Sequence, residues 1–132
     1  MLRETTVVIV GSGLAGVSLA LKLADEGINC LILTKSQLAS GSSIWAQGGI
    51  AAALDPKDSF EAHIQDTLQA GAGLCHESAV RTVVEEAPEA ISWLRSAGVH
   101  FDGQDNFPRG LHLAREGGHS HRRVAHVADT TG

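Results

Sequence analysis

The sequence predicts an α/β fold, a Rossmann-like parallel sheet with helices packed on it. Three observations predict it. Val7 to Val10 is a short, continuous apolar run of β-branched residues, as in a strand buried on both faces. Gly11, Gly13 and Gly16 follow in the spacing G-x-G-x-x-G, and a helical pattern opens at about Leu14. A second apolar run, Asn29 to Thr34, comes after that helix. Together they make one βαβ unit over residues 5–34, which must be parallel and right-handed.

In this unit each glycine has a mechanical reason. Gly11 allows the tight strand-to-helix turn, Gly13 lets a pyrophosphate reach the backbone, and Gly16 lets helix and sheet approach. The phosphates would sit on the free N–H groups of the helix N-terminus. The competing reading is a glycine turn with no nucleotide. Leu14, Val17, Leu21 and Ala24 form the inward face of the first helix, broadened by Leu19 and Leu23, with Gly27 as its stop. At the end of the second strand an acid is expected for the ribose, but the residues are Thr34-Lys35-Ser36. Lys35 can mark a 2′-phosphate, hold an adenosine in another way, or be a solvated lysine.

Residues 38–54, LASGSSIWAQGGIAAAL, lack helix or strand period and are expected to form an ordered loop. Gly48-Gly49 would admit a flat ligand, while Ser42, Ser43 and Gln47 offer hydrogen bonds; a plain glycine turn is the alternative. A helical block is expected over 58–98. Asp58 starts its first helix, with Glu61 as a capping-box partner and Phe60, Ile64 and Leu68 inward. A second helix spans Glu77 to Ala87 with Val80, Val83 and Val84 inward. Pro88 breaks it, and a third helix runs to Ala97 with Ile91, Trp93 and Leu94 on the core. His63 and His76 read as surface or capping residues. Val99 to Gly110 is turn-rich, 111–113 is extended, and Val124 to Ala128 starts a short strand or helix.

The chain has 132 residues, one domain's length, with 43% hydrophobic residues and a net charge of −5. That balance leaves no electrostatic footprint for nucleic acid or an anionic membrane. Cys30 and Cys75 are far apart, which fits buried thiols in a reducing, cytoplasmic setting. No secretory signal or transmembrane helix is expected.

A second dense motif is REGGHSHRR, residues 115–123. His119, His121 and His126 suggest a metal, but Arg122 and Arg123 lie alongside and disfavour a divalent ion, so no metal is expected. An anionic substrate is the other option, paired by Arg115, Arg122 and Arg123. Glu116 would orient an amine. A solvated basic loop is the third reading.

GSGLAG, SIWAQGGIAAAL and REGGHSHRRVAHVADTTG, in this order and spacing, closely resemble the L-aspartate oxidases. AQGGI and A-D-x-T-G are shared with the wider flavoprotein group of succinate dehydrogenase and fumarate reductase. The resemblance implies the N-terminal portion of an FAD-binding domain over 1–132, truncated before the cap domain, with a flavin loop at 38–54 and a substrate-side motif at 115–123. It implies FAD held non-covalently, because Ser42 stands where the related dehydrogenases carry the histidine that attaches it. Gly11, Ser12, Gly13, Leu14, Ala15 and Gly16 would surround the pyrophosphate. Lys35 would face the adenosine half, and Ser42, Ser43, Ile44, Trp45, Ala46, Gln47, Gly48 and Gly49 would run beside the flavin.

The implied reaction oxidises L-aspartate to iminoaspartate with O2, forming H2O2, or with fumarate. It opens the quinolinate route to NAD, with quinolinate synthase as a pathway partner. Glu116 is the candidate for orienting the amine, and His119 and the arginines of the motif, Arg115, Arg122 and Arg123, for the dicarboxylate end. Alone, the chain is expected to be incomplete, with weak or no activity. Two alternatives stand beside this reading. One is a fragment of a fumarate reductase or succinate dehydrogenase flavoprotein; the other is a non-catalytic nucleotide-binding module.

Overall fold

A computed structural model describes residues 4–103 and 108–128. Asp129 to Gly132, the end of the A-D-x-T-G motif, lie outside the described residues. The chain divides into two compact units, residues 1–47 and 48–131.

The first unit is built on strand β1 (Val7–Val10), helix α1 (Leu14–Asp25) and strand β2 (Cys30–Leu33). The strands pair in parallel, with Val7 opposite Cys30 and Val10 opposite Leu33. Helix α1 closes as the glycine predicts: the Gly27 N–H donates to Ala24 O, and the Ile28 N–H to Leu23 O. This double bond pattern satisfies two of the terminal carbonyls.

Burial differs from the expectation. Of β1 only Ile9 is buried, Val10 is 85% exposed, and α1 contains no buried residue. The cause is geometric: each strand of a two-stranded sheet has one neighbour, and the pair is too narrow to cover a helix face. The loop after β2 is also more regular than its composition suggests. Ser42–Trp45 forms a 3-10 turn, and Trp45 points into solvent at 80% exposure.

The second unit combines a helical pair with a small antiparallel sheet. Its elements are β3 (Ile50–Ala51), α2 (Phe60–Ala70), α3 (Glu77–Ser96), β4 (Leu113–Ala114) and β5 (Val124–Ala125). The sheet order is β3-β5-β4, with Ala125 opposite both Ile50 and Leu113. Helices α2 and α3 pack together. Ala52, Leu54, Ala87, Ile91, Leu111, Leu113 and Ala125 form one core cluster.

Three helix expectations need correction. The N-cap of α2 is Ser59, whose hydroxyl accepts from the Ala62 N–H at 3.1 Å, and Asp58 is turned to another use. Pro88 does not break the second helix; α3 continues through it. Proline removes one backbone bond, to the carbonyl of Val84, but the buried face of Val84, Ala87 and Ile91 keeps its spacing across the proline. Burying that face offsets the loss. Val83, expected inside, is 69% exposed because it falls off this face.

Candidate functional site

The predicted cofactor residues Gly11 to Gly16, Lys35 and Ser42 to Gln47 belong to the first unit. Gly11 carries the turn with φ of 108°, in the left-handed region that favours glycine, and its N–H donates to Leu33 O at 2.8 Å. A Cβ on Gly16 would stand 2.3 Å from Gly11 O and 3.3 Å from an Ile9 methyl, so only glycine lets α1 lie this close to β1.

Gly13 is the N-cap of α1 and offers no side-chain cap, and the first turn carries no acid. Ser43 reaches this end, its Oγ accepting from the Leu14 N–H at 3.1 Å. Ser12 Oγ pairs with Thr34 Oγ1 at 3.0 Å, tying the glycine turn to the end of β2. A cleft of about 310 Å³ opens here, floored by Gly13, Leu14 and Val17 and walled by Leu38, Gly41 and Ser43. Lys35, Ser42, Ile44, Trp45, Ala46 and Gln47 are exposed.

Gly48, Gly49, Glu116 and His119 belong to the second unit. Glu116 stands against Gly48: a Cβ on that glycine would lie 3.7 and 3.9 Å from the two carboxylate oxygens. Gly49 serves packing. A Cβ there would meet Ala125 O and a Val124 methyl, each at 2.5 Å, so its open side faces β5.

Beneath the REGGHSHRR turn lies an ionic cluster that sequence reasoning missed. Arg123, expected to pair a substrate, is fully buried. Its Nε and Nη2 donate to the two oxygens of Asp58, both at 2.8 Å, and its Nη1 donates to Asp66 at 2.7 Å. Burial opposes the guanidinium's charge, but the bonds to Asp58 and Asp66 outweigh it and raise its pKa. A guanidinium with both carboxylates in hand is a structural anchor, because its charge is already answered.

Asp66 also accepts from the Ser120 N–H and hydroxyl, both at 2.7 Å. Burial acts to raise its pKa; the two Ser120 bonds and the Arg123 guanidinium reverse that and hold the carboxyl at about 2. His63, expected at the surface, is buried beside this cluster, with Nδ1 unpartnered among the described residues. Its pKa is lowered, first by burial and then by the Arg123 charge. The legible trace of the cluster was the face of α2: His63, Asp66 and Thr67 recur at helical spacing beside apolar Ile64.

Around the turn, the Arg115 Nε donates to His119 O at 2.9 Å and the His119 N–H to Glu116 O at 3.3 Å. Arg122 is exposed. Among the described residues no group of three or more histidine, cysteine or acidic side chains is arranged to hold a metal, and no helix is long and apolar enough to cross a membrane.

Comparison with known proteins adds to this geometry. The chain is 54% identical over 131 residues to the L-aspartate oxidase of Pseudomonas aeruginosa, covering 96% of this chain and 24% of the relative. It is 51% identical over 133 residues to that of Vibrio cholerae, covering 98% and 25%. It thus spans about a quarter of the length of the curated relatives it matches. Among solved structures, Mycobacterium smegmatis Sdh1 in complex with UQ1 superposes with a TM-score of 0.89 at 30% identity, covering 98% of this chain and 22% of the other.

The model of the FAD binding domain matches residues 6–132. The first unit fits a dinucleotide: the helix start is uncapped by Gly13, the cleft beside it is lined by small and apolar residues, and the hydroxyls of Ser12 and Ser43 stand at its edge. The G-x-G-x-x-G turn, the cleft and the match over nearly the whole chain agree, and the chain belongs to the FAD binding domain family.

Proposed function

We propose that this chain is the N-terminal FAD-binding portion, Rossmann-like in its first unit, of a cytoplasmic L-aspartate oxidase that opens NAD synthesis by the quinolinate route. The observation that carries the reading is the carboxylate of Glu116 beside the backbone of Gly48. That closeness supports Glu116 as the candidate for the amine. The sequence similarity to L-aspartate oxidases extends through both motifs.

In this reading the backbone of Ser12, Gly13, Leu14 and Ala15 receives the diphosphate, with Gly11 and Gly16 shaping the turn. Lys35 faces the adenosine half. Ser42 to Gly49 flank the flavin, and Ser42 leaves it dissociable. Bound FAD supplies an acceptor for the two electrons of the Cα–H bond.

L-aspartate loses a hydride from Cα and a proton from nitrogen, giving iminoaspartate. The electrons and protons end as H2O2 when O2 is the acceptor, or as succinate when fumarate is. Glu116 orients the amino group so that its lone pair stabilises the cation developing at Cα, and His119 meets a carboxylate. The first product is a reactive imine, which a quinolinate synthase would consume.

The test is a chimera in which this chain replaces the matching quarter of the Pseudomonas aeruginosa relative. Aspartate-dependent H2O2 is expected, with flavin released by acid. Glu116→Gln should impair aspartate oxidation more than fumarate reduction, since fumarate has no amine. A yellow chimera that reduces fumarate but never oxidises aspartate would replace this reading with the fumarate reductase one. A chimera that binds no flavin would leave a non-catalytic module.

A further inference from the structure

Arg123 carries five N–H groups and no acceptor. Three are given to Asp58 and Asp66. Each terminal nitrogen keeps a second hydrogen. Nη1 lies 3.4 Å from His119 Nδ1, and Nη2 lies 3.4 Å from His121 Nδ1. A ring nitrogen that faces a guanidinium and has no nearer partner presents its lone pair, since an N–H there would meet another N–H and a positive charge.

For His121 a nearer partner decides otherwise. Ser120 Oγ is 2.9 Å from its Nδ1, and the single hydroxyl hydrogen is already given to Asp66 at 2.7 Å. Ser120 must therefore accept from His121. His119 has no such rival: among the described residues Arg123 is the partner of its Nδ1.

We propose that Arg123, locked by Asp58 and Asp66, is a positioning residue that keeps the hydrogen of the His119 ring on Nε2 and its lone pair on Nδ1. The surroundings hold the ring as well as the tautomer. The Arg115 Nε grips the His119 carbonyl, and the His63 ring stands edge-on at 5.6 Å. His119 lines a cleft of about 220 Å³ with Asp66, Thr67, Ala70, Gly117 and Gly118, and Asp66 Oδ2 there is already taken by Ser120 and Arg123. With Nδ1 occupied by the guanidinium, the ring meets an occupant of that cleft as a hydrogen-bond donor and not as a base. Combined with the dicarboxylate reading, on which this step rests, the group it serves is a carboxylate of the substrate.

The test is the tautomer itself, read by long-range proton–nitrogen correlation in the 132-residue chain labelled with 15N-histidine. His119 is assigned by the signals lost in His119→Asn. The expected spectrum has Nδ1 at the frequency of an unprotonated ring nitrogen and Nε2 at that of a protonated one. The reverse pattern, or two averaged frequencies, would overturn the proposal. In Arg123→Met the two frequencies should move towards each other; an unchanged pair in a chain that circular dichroism shows to be folded would also overturn it. Should that variant unfold, the wild-type spectrum decides. Neither flavin nor aspartate enters the measurement, so an inactive chimera would refute the functional reading while leaving the tautomer as measured.

Discussion

Changing Asp66 to asparagine removes one charge from the cluster under the REGGHSHRR turn and keeps its shape. The magnitude follows from the carboxyl's own equilibrium. In the fold it titrates at about 2 against an ordinary 3.8, a difference worth about 2 kcal/mol. The side chain is 16% exposed, so solvent screening takes little of this away. The sign is that of a depressed acid. The stabilisation is complete above the unfolded pKa of 3.8 and is lost as pH falls through about 2.

Urea denaturation followed by Trp93 fluorescence, in a Trp45→Phe background, reads the second unit alone. Asp66→Asn should cost about 2 kcal/mol at about pH 7, and roughly half of that at about pH 3. His63 is common to both chains, so the quantity read is the gap between them. A gap of the same size at both pH values would refute the reasoning, because it would mean that the carboxylate's charge contributes nothing. So would the absence of any gap at the higher pH.

Two further substitutions probe the frame around this cluster. Gly49→Ala would drive a methyl group into Ala125 O and Val124, and should destabilise the second unit by about 1–3 kcal/mol; an unchanged urea midpoint would mean that β3 and β5 are not this close. Ser59→Ala removes the cap of α2 and should cost about 1 kcal/mol in the same assay, whereas Asp58→Asn should cost more, because Asp58 holds Arg123. Equal losses for the two would return the cap to Asp58.

Local features were legible in the sequence. The G-x-G-x-x-G turn, α1 and its glycine stop, and both parallel strands stand within a residue or so of expectation, because each is written in a contiguous stretch. Ser59 and Asp58 are both good cap residues, and only a partner 65 positions away decides between them. Pro88 was read by its own chemistry, although the unbroken spacing of Val84, Ala87 and Ile91 argued for a continuous helix.

The site was half legible for the same reason. Glu116 and Gly48 lie on separate segments that only the β3-β5-β4 sheet brings together. Arg123 looked like a ligand for an outside anion because the acids that neutralise it are on and before α2. The burial of β1 was misjudged because an apolar run announces a sheet interior without saying how many strands share it.

The sheet order has a consequence for assembly in time. The middle strand of the second unit, β5, is the last of the three in the chain, and its pairing with β3 joins Ile50 to Ala125. The helical pair α2–α3 closes over a short separation and can form early. The apolar stretch Ile50 to Leu54 must wait until residues 124 and 125 have left the ribosome, some seconds later at ordinary rates of synthesis. During that interval Glu116 and Gly48 have nothing to hold them together, so the candidate site is among the last features of the second unit to form.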